Sequence, residues 1–214
     1  MTAVRILVAD DHEMVRQGVR TVLERQVGWI VCGEASTGRD AVTKAVALQP
    51  DVVVLDISMP ELNGLEVVRQ IRRAVPAKVL ILSVHESDQI VTEVVEAGAH
   101  GYVLKADAGN KLVRAVHTVL QDQPFFSERV RTLASPAALR VGGRNPRAGR
   151  RLTPRQTEVL QLLAEGKSNK EVGATLGVTT KTAETHRAQI MTRLDLHSST
   201  ELVRYAIRNR IIEP

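Results

Sequence analysis

Two adjacent carboxylates, Asp10 and Asp11, directly follow the apolar run VRILVA at residues 4–9. Like charges this close repel each other, and partial burial increases the repulsion. Such a pair needs a neighbouring cation, or it is simply a solvated turn. A third acid, Asp56, ends another apolar run, and Ser83 and Lys105 end two more. What these side chains can do depends on whether the fold brings them together.

Five short apolar runs alternate with amphipathic stretches in the first half of the chain. The runs are VRILVA (4–9), WIVCGEA (29–35), DVVVLD (51–56), KVLILS (78–83) and GYVLK (101–105). Helical patterns lie near 13–25, 38–48, 64–74, 88–98 and 110–120. This alternation predicts an α/β fold, a doubly wound, flavodoxin-like, five-stranded parallel sheet with both faces buried. Its ligand site should lie beyond the carboxyl ends of the strands.

Three carboxylates, a hydroxyl and an ammonium are therefore expected at one edge of the sheet. Clustered oxygens suit Mg²⁺, which takes few protein ligands and keeps several waters. A bound cation would remove the repulsion between Asp10 and Asp11. Asp56 would then be a carboxylate beside a metal, with a lysine and a hydroxyl in reach, and such a group can accept a phosphoryl group.

The residues around Asp10–Asp11, the stretch LDISMPELNGLE (55–66), Ser83 and Lys105 resemble the receiver domain of two-component response regulators over residues 3–122. The resemblance implies that Asp56 is the phosphoacceptor and that a sensor histidine kinase is the donor. It implies a Mg²⁺ site formed by three carboxylates and one backbone carbonyl, those of Asp10, Asp11, Asp56 and Ser58. It also implies phosphoryl-sensing or switch roles for Ser83, Tyr102 and Lys105.

Each of these residues also has a plainer interpretation when it is taken alone. An aspartate at a strand end is often a helix N-cap, a lone lysine is often on the surface, and a tyrosine is often core. The combination on separate strand ends favours the functional interpretation. His12 adjoins the acids and could contact the site, but a solvated loop position is favoured for it. Pro60 and Gly64 predict a loop, since proline fixes φ and glycine permits positive φ.

Bulk composition is ordinary for a globular protein, with 43% hydrophobic and 25% charged residues. The only cysteine, Cys32, excludes an internal disulfide and fits a reducing, cytoplasmic compartment. The N-terminal apolar run is too short for a signal peptide, and no stretch approaches the ~18 apolar residues of a membrane helix. We therefore expect no membrane partner.

Charge divides the chain into an acidic and a basic half. Residues 1–127 hold 13 Lys/Arg and 16 Asp/Glu, and residues 128–214 hold 16 Lys/Arg and 8 Asp/Glu. The basic half could bind nucleic acid through phosphate attraction, although a solvated basic surface would give the same count. Residues 123–150 are rich in Pro, Gly, Ala, Ser and Arg, which predicts a linker with one short helix near 127–134. Its cluster RNPRAGRR (144–151) could contact DNA phosphates or be a solvated tether.

Helix-start signals are dense after the linker. Capping boxes begin at Thr153, Ser168 and Ser198, and Thr179 or Thr180 can cap another helix after the turn at Gly177. These signals predict four helices near 154–165, 169–176, 180–194 and 199–209. The tight glycine turn between the second and third predicts a helix-turn-helix.

The third of these helices has an outward face of short or polar side chains, as a helix in a DNA major groove requires. Glu184 could accept from a cytosine amino group or simply be solvated, and Thr185 and Ala188 could contact a thymine methyl. The same helix carries four further residues that are better suited to contact DNA phosphates: Lys181, Thr182, Arg187 and Arg193.

Residues 152–207 resemble a LuxR-type four-helix DNA-binding domain, through the LTPRQ-EVL opening and the GKSNKE, LGV and KT-ETHR-I segments. A receiver joined to this domain is the layout of NarL/FixJ-type response regulators. The resemblance implies binding to double-stranded promoter DNA as a homodimer when active. We expect a receiver at 1–122, a linker at 123–150 and the DNA-binding domain at 151–214.

Two other functions compete with a phosphorylation-switched transcription regulator. A phosphatase with Asp56 as nucleophile, of the haloacid-dehalogenase type, would need a second aspartate two residues on, but the sequence there is Asp56-Ile57-Ser58. It would also need a cap insertion that the chain lacks, so we do not expect an enzyme. A receiver that no longer needs phosphate is disfavoured by the intact acids, Ser83 and Lys105.

Overall fold

The computed structural model describes residues 3–84, 88–126, 152–209 and 211–212. They form two compact units, one that contains a sheet and one that is helical. The strands are β1 (Val4–Ala9), β2 (Trp29–Ala35), β3 (Val52–Leu55), β4 (Lys78–Ser83) and β5 (Gly101–Leu104). The helices of the first unit are α1 (Glu13–Glu24), α2 (Gly38–Leu48), α3 (Gly64–Ala74), α4 (Asp88–Ala97) and α5 (Ala108–Leu120).

All five strands are parallel, in the order β2-β1-β3-β4-β5. The predicted doubly wound α/β fold is therefore confirmed. β1 has β2 on one side and β3 on the other, so successive connections run in opposite directions from this point. A ligand site is expected beyond the carboxyl ends of the strands at such a reversal.

Both faces of the sheet are buried, which explains why the strands read as continuous apolar runs rather than as alternating ones. Ile6 and Val8 of β1 point to one face and pack with Leu23 of α1 and Val116 of α5. Leu7, between them in sequence, points to the other face and is also fully buried. Aromatic residues are so few that branched aliphatic side chains supply nearly all of this packing.

Residues 121–126, here called the edge segment, run back along the free edge of β5. The turn after α5 is made by Asp122, which has φ of +60° and pairs with Lys78. Phe125 donates its N–H to the His100 carbonyl at 3.0 Å and accepts from the Tyr102 N–H at 2.8 Å. Its side chain packs against the core cluster. The edge segment thus extends the sheet by one bridge, Gly101 to Phe125.

His100 connects β4 to the start of β5. Its N–H donates to the Val79 carbonyl at 2.7 Å, and its ring Nδ1 accepts from the Val79 N–H at 3.0 Å. Burial, together with the nearby positive charges of Arg72 and Lys78, lowers the pKa of His100 to about 4, although Asp122 acts in the opposite direction. A neutral ring is therefore part of the folded structure, because protonation of Nδ1 would remove the acceptor for Val79.

Four helices form the second unit: α6 (Pro154–Ala164), α7 (Asn169–Leu176), α8 (Thr180–Leu194) and α9 (Ser199–Arg208). Complete capping boxes start α6 at Thr153 and α7 at Ser168, as the sequence predicts. The predicted third box forms only in part. Ser198 accepts from the Glu201 N–H, but the Glu201 carboxylate reaches back to the N–H of His197 at 2.6 Å, one residue before the cap.

The turn between α7 and α8 depends on two glycines. Gly177 ends α7 with φ of +64°, a conformation that residues with a Cβ rarely adopt. Gly173 lets α7 approach the turn closely, since a Cβ there would lie 2.9 Å from the Val178 carbonyl oxygen. Thr179 then caps α8 by accepting from the Thr182 N–H at 3.1 Å. This is the helix-turn-helix that the sequence predicts.

Some predicted boundaries differ from the structure. β3 and β5 each end one residue earlier than their apolar runs, so Asp56 and Lys105 lie just beyond the strands, and Lys105 begins a 3₁₀ turn at Lys105–Asp107. The predicted linker helix near 127–134 and the basic cluster at 144–151 lie outside the described residues. None of the helices that the structure describes combines the length and apolar character needed to span a bilayer.

The buried neutral state of His100 predicts an acid sensitivity of the sheet-containing unit. Unfolded His100 binds a proton below pH 6.5, whereas the folded ring resists it until about pH 4. Stability should therefore fall as the pH is lowered from 6.5 towards 4. His100→Asn keeps an acceptor for the Val79 N–H but cannot ionise, so it should lose less stability over this range.

The measurement is urea unfolding at several pH values, followed through the fluorescence of Trp29. Trp29 is the only tryptophan of the chain and is buried in this unit, so it reports on the relevant transition. Parallel pH profiles for wild type and His100→Asn would contradict the assignment.

Candidate functional site

The pairing of β1 with β3 places two carboxylates side by side. Ala9 pairs with Leu55 at the ends of these strands, and Asp10 and Asp56 are the next residues. Asp56 donates its N–H to the Ala9 carbonyl at 2.8 Å, and Asp10 donates its own to the Ala35 carbonyl at 3.1 Å. The ladder therefore fixes both backbones. The two residues are only 2% and 3% exposed, so the carboxylates are held together with little water.

The Lys105 ammonium lies between these two acids. Its Nζ is 2.7 Å from Asp10 Oδ2 and 2.8 Å from Asp56 Oδ2. Ser83 is fully buried at the end of β4 and pairs with Leu104, the residue before Lys105. The structure thus brings Asp10, Asp56, Ser83 and Lys105 to the same edge of the sheet, as the sequence predicts.

Burial and charge oppose each other at this edge. Burial raises the pKa of the Asp56 carboxyl, the Asp10 carboxylate raises it further, and Lys105 and the Ser58 N–H offset only part of this. Burial lowers the pKa of Lys105, but its bonds to Asp10 and Asp56 outweigh that effect and raise it overall. Lys105 is therefore firmly charged, whereas Asp56 is a carboxylate whose negative charge is not fully compensated.

The donor set fits a divalent cation. Asp10, Asp11 and Asp56 carry three negative charges and Lys105 carries one positive charge, which leaves a formal excess of two. Oxygens of these three acids and a ring nitrogen of His12 all lie within 4.8 Å of one another. Hard divalent cations such as Mg²⁺ prefer carboxylate oxygens of this kind. Ser58 is half-buried two residues after Asp56, where its backbone faces the same carboxylate.

His12 and Arg16 both lie close to the acids; the sequence analysis considered this position for His12 but not for Arg16. His12 Nδ1 lies 2.8 Å from Asp11 Oδ1 and 3.3 Å from Asp10 Oδ1. Its N–H also donates to Asp10 Oδ1 at 2.9 Å. Arg16 donates to the Asp10 backbone carbonyl at 2.8 Å. Their position in the first turns after the acids was the one available signal, since it places both beside β1.

Gly64 has a different role from the predicted one. It is the first residue of α3 and does not have positive φ. Its N–H donates to the Ile57 carbonyl at 2.8 Å. A Cβ at this position would lie 2.5 Å from the Asp56 carbonyl oxygen and 2.6 Å from the Ile57 Cα. The glycine is needed because α3 begins against the backbone of the loop that carries Asp56.

Tyr102, the predicted switch residue, is half-buried in β5, three residues before Lys105. Its backbone pairs with Ile81 of β4 on one side and with Phe125 of the edge segment on the other. Tyr102 therefore belongs to the strand that leads directly to the lysine of the site.

The residues that are predicted to contact DNA lie on the outward face of α8. Ala183, Ile190 and Leu194 are buried in the core of the second unit. The exposed residues of the predicted set are Lys181, Glu184, Thr185, Ala188 and Arg193, and Thr182 and Arg187 are half-buried. The face is therefore short and polar along the N-terminal half of α8, a shape that a major groove accepts.

Several side chains on α8 are already held in place. The Thr185 hydroxyl donates to the Lys181 carbonyl at 2.9 Å. The Thr182 hydroxyl bonds to that of Thr179 at the helix start. Arg187 donates to the Ser199 hydroxyl at 3.0 Å and so links α8 to α9. Lys181, Glu184 and Ala188 are exposed on the same helix, two of them polar and one apolar.

Comparison with known families identifies each half of the chain. Residues 6–117 match the family described as response regulator receiver domain, and residues 150–206 match bacterial regulatory proteins of the luxR family. The chain belongs to the two-domain response regulators. Proteins of this layout, and therefore this response regulator, are phosphorylation-dependent transcriptional regulators of two-component systems.

Relatives match this response regulator along nearly its whole length. The transcriptional regulatory protein LiaR of Bacillus subtilis is 38% identical over 210 residues, 98% of this chain and 99% of that protein. The oxygen regulatory protein NreC of Staphylococcus epidermidis is 33% identical over 216 residues, 98% and 99% of the two chains. These relatives are named as regulators.

Solved structures of the RcsB response regulator share the fold. One, from Salmonella typhimurium, is 26% identical with a TM-score of 0.57, and the match covers 96% of this chain and 98% of that one. Another, of two RcsB dimers bound to DNA, is 26% identical with a TM-score of 0.57 and covers 95% and 98% of the two chains.

Because α3 approaches the Asp56 loop closely at Gly64, adding a single methyl group at this position should destabilise the fold. Gly64→Ala should destabilise the first unit by about 1–3 kcal/mol, because neither contacting backbone atom can move freely. Gly18→Ala is the matched control: this glycine is exposed in α1 with no atom near its added Cβ. It should stabilise by roughly 0.5–1 kcal/mol. Urea unfolding read by Trp29 fluorescence measures both, and equal effects would contradict the argument.

Proposed function

We propose that this response regulator accepts a phosphoryl group on Asp56 from a sensor histidine kinase and then binds promoter DNA more tightly as a homodimer. The observation that carries the proposal is the pair of buried carboxylates, Asp10 and Asp56, with the Lys105 ammonium between them. The same residues and strand ends are those expected of a receiver domain.

The reaction needs a nucleophile and neutralisation of the transferred oxygens. An Asp56 carboxylate oxygen attacks phosphorus, the bond from phosphorus to the kinase histidine nitrogen breaks, and its electron pair leaves with that nitrogen. The Lys105 ammonium is close enough to Asp56 to pair with the new phosphoryl oxygens. Ser83, buried at the end of β4, is placed to hydrogen-bond to the same group.

Asp10, Asp11 and Asp56, with the Ser58 carbonyl, would hold Mg²⁺. The cation would supply positive charge to the transferred oxygens during the reaction. The excess of two negative charges among the acids and Lys105 supports this assignment. An exposed carboxylate, Asp11, beside a buried one, Asp10, also allows the ion to enter from solvent while one ligand stays fixed.

Phosphorylation would bias the site between two arrangements. Lys105 now bonds to both Asp10 and Asp56, and a phosphoryl group on Asp56 would compete for its ammonium. A shift of Lys105 acts on β5, where Tyr102 lies three residues before it. New local contacts that favour one of two packings are the usual basis of such switches.

Turnover of an outside substrate is not part of the proposal. Ser58 stands where a phosphatase of the competing class would need its second aspartate, and the relatives are named as transcriptional regulators. We likewise propose a cytoplasmic location, since the partner DNA lies there, and boundaries at 1–122, 123–150 and 151–214 for receiver, linker and DNA-binding domain.

Intact-mass analysis tests the phosphoacceptor. The full-length protein is incubated with Mg²⁺ and acetyl phosphate, and wild type should gain one phosphoryl group. Asp56→Ala should gain none, and neither should wild type after Mg²⁺ is removed with EDTA. Asp51→Ala is the matched control, because Asp51 is an exposed aspartate that accepts from the Arg5 N–H and precedes β3, away from the carboxyl ends of the strands. An adduct of equal mass on Asp56→Ala would overturn the assignment.

The α8 surface makes a separate prediction about DNA. A double-stranded site is first selected from random-sequence oligonucleotides with the full-length protein. Lys181→Ala should weaken binding to selected and unrelated sequences alike and reduce the slope of log K against log salt by about 1. Glu184→Ala should instead reduce discrimination between sequences, by about 1–3 kcal/mol at one base pair.

Arg73→Ala is the control for the change of charge. Arg73 is exposed in the last turn of α3, in the unit that carries the sheet. Its loss should leave both the affinity and the salt slope unchanged. If Arg73→Ala and Lys181→Ala weaken DNA binding equally, the α8 surface is not the site of contact.

A further inference from the structure

The edge segment carries a feature that the proposed reaction does not use. Phe125 forms the only described bridge along the outer edge of β5, through the N–H of Tyr102 and the carbonyl of His100. The two backbone bonds flank Gly101, so the first half of β5 is held on both sides, by β4 and by the edge segment. Tyr102 cannot shift its backbone without disturbing Phe125.

The approach of Phe125 to β5 is close enough to restrict the sequence of both. A Cβ on Gly101 would lie 3.0 Å from the Phe125 Cβ and 3.1 Å from its carbonyl oxygen. It would also lie 2.7 Å from Leu80 Cδ1. A larger residue at Gly101 would therefore push the edge segment away from β5.

The edge segment is anchored at its other end as well. Asp122 pairs with Lys78 at the start of β4, and the Gln123 N–H donates to the Thr118 carbonyl of α5 at 3.1 Å. The Phe125 ring packs into the same core as Leu112 and Val116 of α5. Residues 121–126 are thus bonded to β4, β5 and α5 together. In sequence they lead directly into the residues that join the two units.

We infer that Phe125 is a positioning residue of the phosphorylation switch. Phe125 couples the backbone of Tyr102 to the segment that leads to the DNA-binding unit. This rests on the proposed function, since it concerns how a phosphoryl group on Asp56 is read out. Lys105 responds to the group at one end of β5. Phe125 holds the strand at the other side of Tyr102, and a change in β5 therefore reaches the chain that continues beyond residue 126.

Three variants of the full-length protein test the inference. Phe125→Ala removes the ring that holds the edge segment in the core. Phe125→Leu keeps an apolar side chain and the backbone bonds, and should behave as wild type. Phe126→Ala is the matched control, the same substitution at the neighbouring residue, which has no bridge to β5.

Two quantities are measured on each variant: the extent of phosphorylation by intact mass, and the ratio of DNA dissociation constants before and after phosphorylation. Phosphorylation of Phe125→Ala should equal that of wild type, but its ratio should fall towards 1. Hydrogen exchange of the Tyr102 amide, protected by Phe125 in wild type, should become faster. Phe126→Ala and Phe125→Leu should keep the ratio of wild type.

The outcomes separate the inference from the function on which it rests. If Phe125→Ala exchanges its Tyr102 amide quickly but keeps the ratio of wild type, the coupling role is wrong and Phe125 is only a packing residue. If Phe126→Ala loses the ratio equally, the effect is not specific to the bridge, and the inference also fails. If wild type itself is not phosphorylated or shows a ratio of 1, it is the proposed function that fails.

Discussion

The proximity of two buried carboxylates is the constraint on which the first unit depends. Asp10 and Asp56 are adjacent because β1 and β3 are neighbours in the sheet and both end at the same level. Their repulsion in a dry environment is compensated only in part by Lys105, so the fold holds a negative charge that disfavours the unliganded state. That uncompensated charge makes the edge of the sheet suitable for a cation, which the proposed phosphoryl transfer requires.

The remaining elements serve to hold these charged groups in place or to respond to them. Gly64 allows α3 to begin against the Asp56 loop, and Arg16 fixes the Asp10 carbonyl. β5 delivers Lys105 to the acids while its outer edge is bound by Phe125. The second unit is organised differently: caps and a left-handed glycine define α7 and α8, and a small apolar core fixes which face of α8 is outward.

Patterns with a strong physical period were predictable from the sequence. The apolar runs gave the strands, since a doubly covered sheet tolerates little else, and the capping signals gave the helix starts at Thr153 and Ser168. The acids, Ser83 and Lys105 could be brought together because parallel strands end at one edge. By contrast, the predicted partner of the Glu201 carboxylate, the N–H of Ser198, was wrong. The carboxylate accepts from the N–H of His197 instead, because the two N–H groups are only one residue apart.

Features set by close tertiary approach could not be predicted. The sequence suggested that Gly64 is needed because glycine permits positive φ. In the structure it is needed because a side chain at this position would clash with the Asp56 loop. The bridge from Phe125 to β5 has no local signal, because it depends on how α5 ends and on the left-handed turn at Asp122. His12 is exposed, as the sequence favours, and the geometry of the residues just before α1 shows that its ring nitrogen also faces the acids.

Phosphorylation of Asp56 should change the affinity of the full-length protein for DNA. The most direct test of this change is fluorescence anisotropy with a selected double-stranded site, before and after treatment with acetyl phosphate and Mg²⁺. Wild type should bind more tightly after treatment, on the order of 5–150-fold, and Asp56→Asn should not change. Equal affinities for phosphorylated and unphosphorylated wild type would show that the buried acids do not control DNA binding.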